Sequence, residues 1–561
     1  MTGHLSLLVV GVVGAVLVSG GVGRRGIPRR ANTARSARPP ARPGAPGSLL
    51  ASFHGPRRSH GSPEGARWAR RADLGSLRCK GVSRGRLVLG EEGGRVPRHQ
   101  LLAAEPAQSV AVIGPTQSGK TTSLAVPAIL GWEGPILAAS VKTDLVRDTL
   151  EWRRRCGNVW CFDPVGTTGL PRNPWSPVSA ARSWALARRV ASDLTEVARG
   201  EGTSADGEFW YATAAKLLAP LLFAAAAGGR TMHDVVRWVD TQETEEVLDI
   251  LHAAGVPDAL QAARATWLRD ERQRSAVYTT AETVLEPFAE PEISDDVPAG
   301  EAGELTPPYG VPVRAVGGPI GEEIDPAALL GGCHTLYICA PAHDQHRLRA
   351  VFSALVAQVV HAAFSASART GRPLDPPLLV VLDEAANIAP LKELDGLAAT
   401  CAGHGVQLVT VWQDLAQVRA RYGERAATVV NNHRAKLFLP GIADPGTLDF
   451  ASHLAGDQEL MTPSVTRGAR GERTVTTSTQ VRRLLPPDTL RRLPKGHAVL
   501  LYGSLPPVRL GLRSWFTDAE LAARGGTGSL AAASVPGRAT ERRVPSPSNW
   551  WTRRAGLQSR S

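Results

Sequence analysis

Gly114-Pro115-Thr116-Gln117-Ser118-Gly119-Lys120-Thr121 is a complete GxxxxGK[ST] string, and its flanks decide the fold. Ser109-Val-Ala-Val-Ile113 before it is an apolar run of strand length, and Thr121 to Leu130 after it can open a helix. A strand, a glycine-rich loop and a helix form the setting in which successive backbone N–H groups turn inward and cup phosphates. The helix N-terminus adds a favourable field for anions. Lys120 is expected to reach the β- and γ-phosphates of a nucleoside triphosphate, and the Thr121 hydroxyl to ligate Mg2+. The expected nucleotide contacts are Gly114, Pro115, Thr116, Gln117, Ser118, Gly119, Lys120, Thr121 and Thr122.

Downstream, Leu378-Leu-Val-Val-Leu382 reads as a fully buried strand whose end delivers Asp383-Glu384. Adjacent acids there suit a Walker B arrangement. Asp383 supports the Mg2+, and Glu384 polarises the water that attacks the γ-phosphate. The glutamate predicts hydrolysis rather than transfer to another acceptor. Gln413 follows the strand-like run Gln407-Leu-Val-Thr-Val411 and is either a γ-phosphate sensor or a structural amide.

From Ser109 onward, apolar strands alternate with helical stretches, which predicts an α/β fold with a parallel sheet. A short strand is expected at Arg86 to Leu89, ended by Gly90. Between residues 178 and 300 the pattern changes to helical stretches, among them Ser183 to Arg199 and Phe209 to Ala227, and reads as an all-helical insertion. The nucleotide-binding body is thus expected in two parts, 76–177 and 301–524, followed by a basic tail at 525–561.

The chain has 561 residues, 43% hydrophobic and 21% charged, which fits a globular protein of two or three domains. Its net charge of +12 is not a property of the body. Residues 24–98 hold 18 Lys and Arg against 4 Asp and Glu, and residues 99–561 carry a small acidic excess. Basicity is therefore no argument for nucleic-acid binding by the body. Residues 24–75, rich in Arg, Pro, Ala, Gly and Ser, read as a linker held near anionic lipid.

Leu5 to Gly23 is an uncharged apolar run of 19 residues. As a helix it would span roughly 28 Å, one bilayer core. A cleaved secretory signal is the competing reading, but no Lys or Arg precedes the run, and Arg24, Arg25, Arg29 and Arg30 follow it. By the positive-inside rule the expectation is a single N-terminal transmembrane anchor in the inner membrane, with the body cytoplasmic. The six cysteines form no CxxC pair. Cys333 and Cys339 flank His334, yet the apolar run Thr335 to Cys339 explains them as strand residues rather than metal ligands.

Several segments resemble the VirD4/TraG/TraD coupling proteins of type IV secretion and conjugation. They are Val112 to Thr121, Ser140-Val-Lys142-Thr-Asp144, Phe162-Asp163-Pro164 with Asn173-Pro174-Trp175, Leu382-Asp-Glu-Ala-Ala-Asn-Ile388, and Trp412-Gln413-Asp-Leu-Ala-Gln417 with Tyr422-Gly423. The resemblance covers about residues 85 to 520. It implies a RecA-like P-loop NTPase domain carrying an inserted all-α domain, and a homo-hexameric ring. It also implies use of ATP and Mg2+ to deliver DNA (a relaxase-bound single strand) or an effector protein to a type IV secretion channel. Relatives of this kind usually show two membrane helices, and often an arginine in the loop after the helix that follows Walker B. Here that segment reads Thr400-Cys-Ala-Gly-His404-Gly, which leaves Arg419, Arg421 or Arg434 as candidate arginine fingers. An FtsK/HerA-like DNA translocase and a low-turnover nucleotide switch at the membrane are the alternatives.

Overall fold

The computed structural model describes residues 65–526 apart from 82–83, 94–99, 200–204, 291–321, 342, 390, 392 and 468–472. The expected membrane anchor, most of the basic linker and the tail beyond residue 526 lie outside the described residues.

A single mixed sheet organises the body. Its strands are β1 (Arg78–Cys79), β2 (Val88–Glu92), β3 (Leu101–Ala103), β4 (Val110–Ile113), β5 (Ile136–Ser140), β6 (Val159–Phe162), β7 (Thr335–Cys339), β8 (Leu378–Leu382), β9 (Val406–Trp412) and β10 (Ala435–Phe438). A ribbon of β11 (Asp457–Arg467) and β12 (Arg473–Arg483) pairs only with itself, and β13 (His497–Tyr502) and β14 (Val508–Gly511) return to the main sheet. The order is β1-β3-β2-β14-β13-β10-β4-β9-β8-β5-β7-β6. From β10 to β6 every pairing is parallel, and from β10 to β1 every pairing is antiparallel.

β4, β5, β7, β8 and β9 are buried along their whole length, as continuous apolar runs in a sheet covered on both faces should be. Side chains alternate between two apolar layers. Ala111, Ile113, Leu378, Val380 and Leu382 face one; Val110, Val112, Leu379 and Val381 face the other. The first layer is covered by the helix Gln345–Thr370 and by the helical segment, whose members include Trp184–Ala198, Ala205–Gly228, Met232–Asp240, Glu245–Ala254, Pro257–Trp267 and Glu271–Leu285. No strand interrupts the described residues of that segment, and its apolar interior is continuous with the sheet face. The second layer is covered by the helices Val126–Gly131 and Asp144–Cys156.

Four readings of the sequence need correcting. Residues 65–75, assigned to the linker, are folded. Ala66 N–H donates to the Asp457 carbonyl at 2.6 Å, Arg67 pairs with Asp73 at 2.6 Å, and Leu74 is buried. Composition misled here because one buried leucine, an Arg–Asp pair and a backbone hydrogen bond to β11 suffice to tie the segment down. Gly90 does not end β2; the strand runs through it to Glu92 with a bulge between Val88 and Gly90. An added Cβ at Gly90 would meet the Gly511 carbonyl oxygen at 2.4 Å, so glycine marks a close approach rather than a stop. Thr400 to His404 is not a loop but the last turns of the helix Leu394–His404, stopped by Gly405 at φ 72°. The β11–β12 ribbon went unrecognised because neither strand carries the alternating apolar pattern that marks a strand in sequence.

Among the described residues two helices are long and apolar enough to cross a membrane, Gly207–Gly228 and Arg347–Thr370, with 61% of each apolar window buried inside the body. Burial by the sheet and its neighbours accounts for their composition.

Candidate nucleotide-binding site

The phosphate loop leaves β4 at Gly114. Its N–H donates to the Trp412 carbonyl at the end of β9, 3.1 Å away, and Leu439 N–H donates to the Ile113 carbonyl at 2.9 Å. The loop thus begins clamped between the ends of β9 and β10. Gly114 has no room for a side chain, since an added Cβ would lie 2.8 Å from both Leu439 Cβ and Ser118 Oγ. Gln117 and Gly119 take positive φ values of 62° and 97°, which turns the intervening backbone through the loop. Ser118 closes it, its hydroxyl donating to the Pro115 carbonyl at 2.7 Å. Thr116 and Gln117 sit exposed at the crest. Thr121 and Thr122 open a wide first helical turn, Thr121–Ala125, that runs into the helix Val126–Gly131.

Lys120 is 8% exposed, and its ammonium donates to the Gly114 carbonyl and to the Pro115 carbonyl at 2.8 Å. Burial pulls its pKa down, while the carboxylates of Asp383 and Glu384 hold it up. The lysine therefore lies inside the cradle, facing the two acids.

Asp383 leaves the end of β8, two places along the sheet from β4, with β9 between them. It is 2% exposed. Its Oδ2 accepts from the Thr121 hydroxyl at 3.2 Å and from the Ser140 hydroxyl at 3.2 Å. Burial raises its pKa, and the neighbouring Glu384 raises it further, against the two hydroxyl hydrogen bonds and Lys142. Glu384 stands at φ 63°, ψ 55°, a left-handed conformation that a glutamate adopts at a cost. Lys142 Nζ lies 3.5 Å from its Oε1, and Asn387 Nδ2 donates to its Oε2 at 3.3 Å.

Ser140 and Lys142 were quoted from the sequence only as part of a resemblance. The structure gives each a task, one on either acid. The signal was positional, because β5 pairs with β8 and its C-terminal residues must meet the Walker B acids.

Gln413 lies at the end of β9, between the strands that carry Gly114 and Asp383. Its backbone N–H donates to Gln417 Oε1 at 3.0 Å, and Asp414 caps the helix Leu415–Tyr422 through the Gln417 N–H at 2.8 Å. Beneath it a buried chain fixes Trp412. The indole N–H donates to Thr410 Oγ1 at 2.8 Å, and Thr410 Oγ1 lies 3.0 Å from His433 Nε2. His433 Nδ1 lies 2.7 Å from the Val429 carbonyl, so that nitrogen carries the proton and Nε2 accepts from Thr410. Burial drops the His433 pKa to about 4, which keeps the ring neutral and this polarity of the chain intact.

Two of the candidate arginine fingers are engaged within the chain: Arg419 pairs with Asp444 at 3.5 Å, and Arg434 with Glu105 at 3.1 Å, while lying over the Tyr502 ring. Arg421 is half-buried. His334 Nδ1 accepts from Asn158 N–H at 2.9 Å, and no group of three or more His, Cys, Asp or Glu is placed to hold a metal ion among the described residues.

The donors gathered at Thr121 and Asp383 are all oxygen and adjoin the phosphate cradle. That set fits Mg2+, which takes a hydroxyl and a carboxylate from the protein and completes its shell from phosphates and water.

The family model described as type IV secretory system conjugative DNA transfer matches residues 70–299, and that described as the TraM recognition site of TraD and TraG matches residues 377–495. A conjugal transfer protein TraG of Escherichia coli is 25% identical over 426 residues, covering 69% of this chain and 62% of the relative. Protein VirD4 of Agrobacterium fabrum is 23% identical over 488 residues, covering 84% of this chain and 68% of the relative. The chain thus spans about 62% of the length of that TraG protein. Among solved structures, the bacterial conjugative coupling protein TrwB with its first 70 residues removed, in complex with sulphate, aligns with a TM-score of 0.56 at 18% identity, covering 81% of this chain and 96% of that one. TrwB in complex with the ATP analogue ADPNP aligns with a TM-score of 0.54 at 17% identity, over 78% and 96%. The structural likeness shows the fold, an α/β nucleotide-binding body, and the two family models take in its two halves on either side of residues 300–376. On these matches, and on the motifs that the fold brings together, the chain is similar to the TraG/VirD4 coupling proteins of type IV secretion.

Proposed function

We propose that this protein is a membrane-anchored, RecA-like ATPase that delivers DNA or an effector protein to a type IV secretion channel. The observation that carries the reading is the convergence of Thr121, Ser140 and Asp383 beneath the phosphate loop, with Glu384 held in a left-handed conformation beside them. Lys120 and the loop N–H groups bind the phosphates. Thr121 and Asp383 would hold Mg2+, which would supply neutralisation of phosphate charge. Glu384 orients the attacking water and takes its proton, with Lys142 and Asn387 fixing its two oxygens. Gln413, on the strand between the loop and the acids, reads the γ-phosphate.

Support from relatives is chemical as well as topological. TrwB is known in complex with ADPNP and with ADP and Mg2+. The matches to TraG and VirD4 favour a conjugation or secretion role over an FtsK/HerA-like translocase. Extension of the reading to a homo-hexameric ring, a relaxase-bound single strand and a single-pass inner-membrane position follows the family resemblance and the Leu5–Gly23 run.

The test is ATP turnover of the full chain in lipid nanodiscs, alone and with single-stranded or double-stranded DNA, with Lys120→Ala as control. DNA-stimulated turnover lost in the control is the expected result. Turnover that no DNA alters favours protein cargo, and nucleotide binding without turnover under every condition would replace the motor with a nucleotide switch.

A further inference from the structure

The phosphate loop accounts for the triphosphate but not for the nucleoside, and the C-terminal part of the described body supplies a ledge beside it. Residues 513–516 leave β14 and cross the outer side of the loop's helix. Trp515 N–H donates to the Thr122 carbonyl at 3.1 Å, and Ser514 Oγ lies 2.9 Å from Ser123 Oγ. Ser123 Oγ in turn lies 3.4 Å from where a Cβ on Gly119 would stand, so the crossing runs directly against the loop. The segment is rigidly held. The Arg513 guanidinium, largely buried, pairs with Asp518 at 2.6 Å, and Asp518 caps the helix Ala519–Arg524 through the N–H groups of Glu520 and Leu521. Trp515 packs against Gly525 and Gly526.

On this anchored turn Phe516 is 58% exposed, edge-on to Trp515 with ring centroids 5.9 Å apart. The Trp515 indole N–H has no hydrogen-bond partner among the described residues. An aromatic ring left in water on a braced turn needs a reason, because burying it elsewhere would be favourable. With Lys120 reaching the β- and γ-phosphates and Thr121 on the Mg2+ side beside Asp383, a bound triphosphate would have its γ end toward Asp383 and Glu384 and its α end at the first helical turn, residues 121–122. The nucleoside must therefore emerge beside Thr122, where this turn is tied.

We infer that Ser514–Phe516 is the nucleoside ledge of the phosphate loop, with the Phe516 ring stacking on the purine base. Base stacking on an aromatic side chain tolerates any base, since every base has a π-face. The ledge thus contributes affinity for nucleotides as a class, and its aromatic ring is what matters rather than any hydrogen bond. This inference rests on the nucleotide reading of Gly114–Thr121.

The experiment is equilibrium binding to the full chain of two probes, ATP and inorganic tripolyphosphate, each with Mg2+. The triphosphate without a base reports the loop alone. Phe516→Ala is expected to weaken ATP about tenfold and to leave tripolyphosphate unchanged within twofold, and Phe516→Tyr to restore ATP binding. Equal ATP affinity of the wild type and Phe516→Ala would overturn the ledge while leaving the loop intact. Weakening of both probes alike would also overturn it, by showing damage to the loop rather than loss of stacking. A wild type that binds neither probe would instead bring down the nucleotide reading itself. Because Phe516 is exposed, its replacement leaves the fold in place; the thermal unfolding midpoint of each variant checks this.

Discussion

Two buried aspartates end parallel strands of the same sheet, and their surroundings set one at a junction of several elements and the other within its own loop. Asp383 at the end of β8 and Asp163 just beyond β6 are 2% and 1% exposed. Asp383 draws hydroxyls from two other elements, Thr121 of the phosphate-loop helix and Ser140 of β5, and its neighbour Glu384 adds charge instead of relieving it. Asp163 is served by its own loop, through the Thr168 N–H at 2.6 Å and the Thr168 hydroxyl at 2.7 Å. Nearby, Asn173 accepts from Cys161 N–H at 2.9 Å and donates to the Glu322 carbonyl, and Trp175 donates to Gln358. Partners from distant elements leave a carboxylate at a junction where something can enter. Partners from one loop spend the carboxylate on shape. Both segments belong to the resemblance with coupling proteins, yet of the two aspartates it is Asp383 that adjoins the phosphate loop.

The comparison yields predictions in descending size. Lys120→Ala, at the first site, should weaken ATP about 100-fold, as removal of one member of a desolvated charge pair does, read by fluorescent-nucleotide titration. Asp163→Ala should cost about 2 kcal/mol of stability by removing both hydrogen bonds from the half-buried Thr168 to the buried carboxylate, seen in denaturant unfolding, and leave ATP affinity alone. A drop in ATP affinity there would erase the distinction between site and brace.

Asp383→Asn should do the reverse. An acid whose pKa rises on folding destabilises the folded state above its unfolded pKa, the ordinary aspartate value of 3.8, and the penalty disappears as pH falls below it. The asparagine variant without nucleotide is therefore expected to unfold at a higher temperature than the wild type at neutral pH. That advantage should vanish toward pH 4, and Mg2+-dependent ATP binding should be lost. Arg434→Ala is the smallest, within about 1 kcal/mol for a half-exposed ion pair. A tenfold loss of turnover at unchanged stability would mark it instead as an arginine finger.

How much was legible follows from the same physics. β7 and β8 match the expected Thr335–Cys339 and Leu378–Leu382 because continuous apolar runs have one outcome in a doubly covered sheet. The phosphate loop and Walker B acids were legible because their chemistry fixes residue type and spacing. Ser140, Lys142 and the Trp412–Thr410–His433 chain were not, since their partners come from strands brought together only by sheet order. Phe516 was silent for the same reason: its meaning depends on the Trp515–Thr122 hydrogen bond, across nearly 400 positions of sequence. The ribbon β11–β12 escaped because its few apolar residues do not alternate along either strand.

The most direct test of the account is Glu384→Gln in the full chain, with ATP affinity and steady-state turnover measured on the same preparation. The account predicts ATP affinity within about threefold of the wild type and turnover reduced about 10²–10⁴-fold, the range for loss of a general base. Turnover equal to the wild type would contradict it, and would remove Glu384 and the β8 junction from the chemistry.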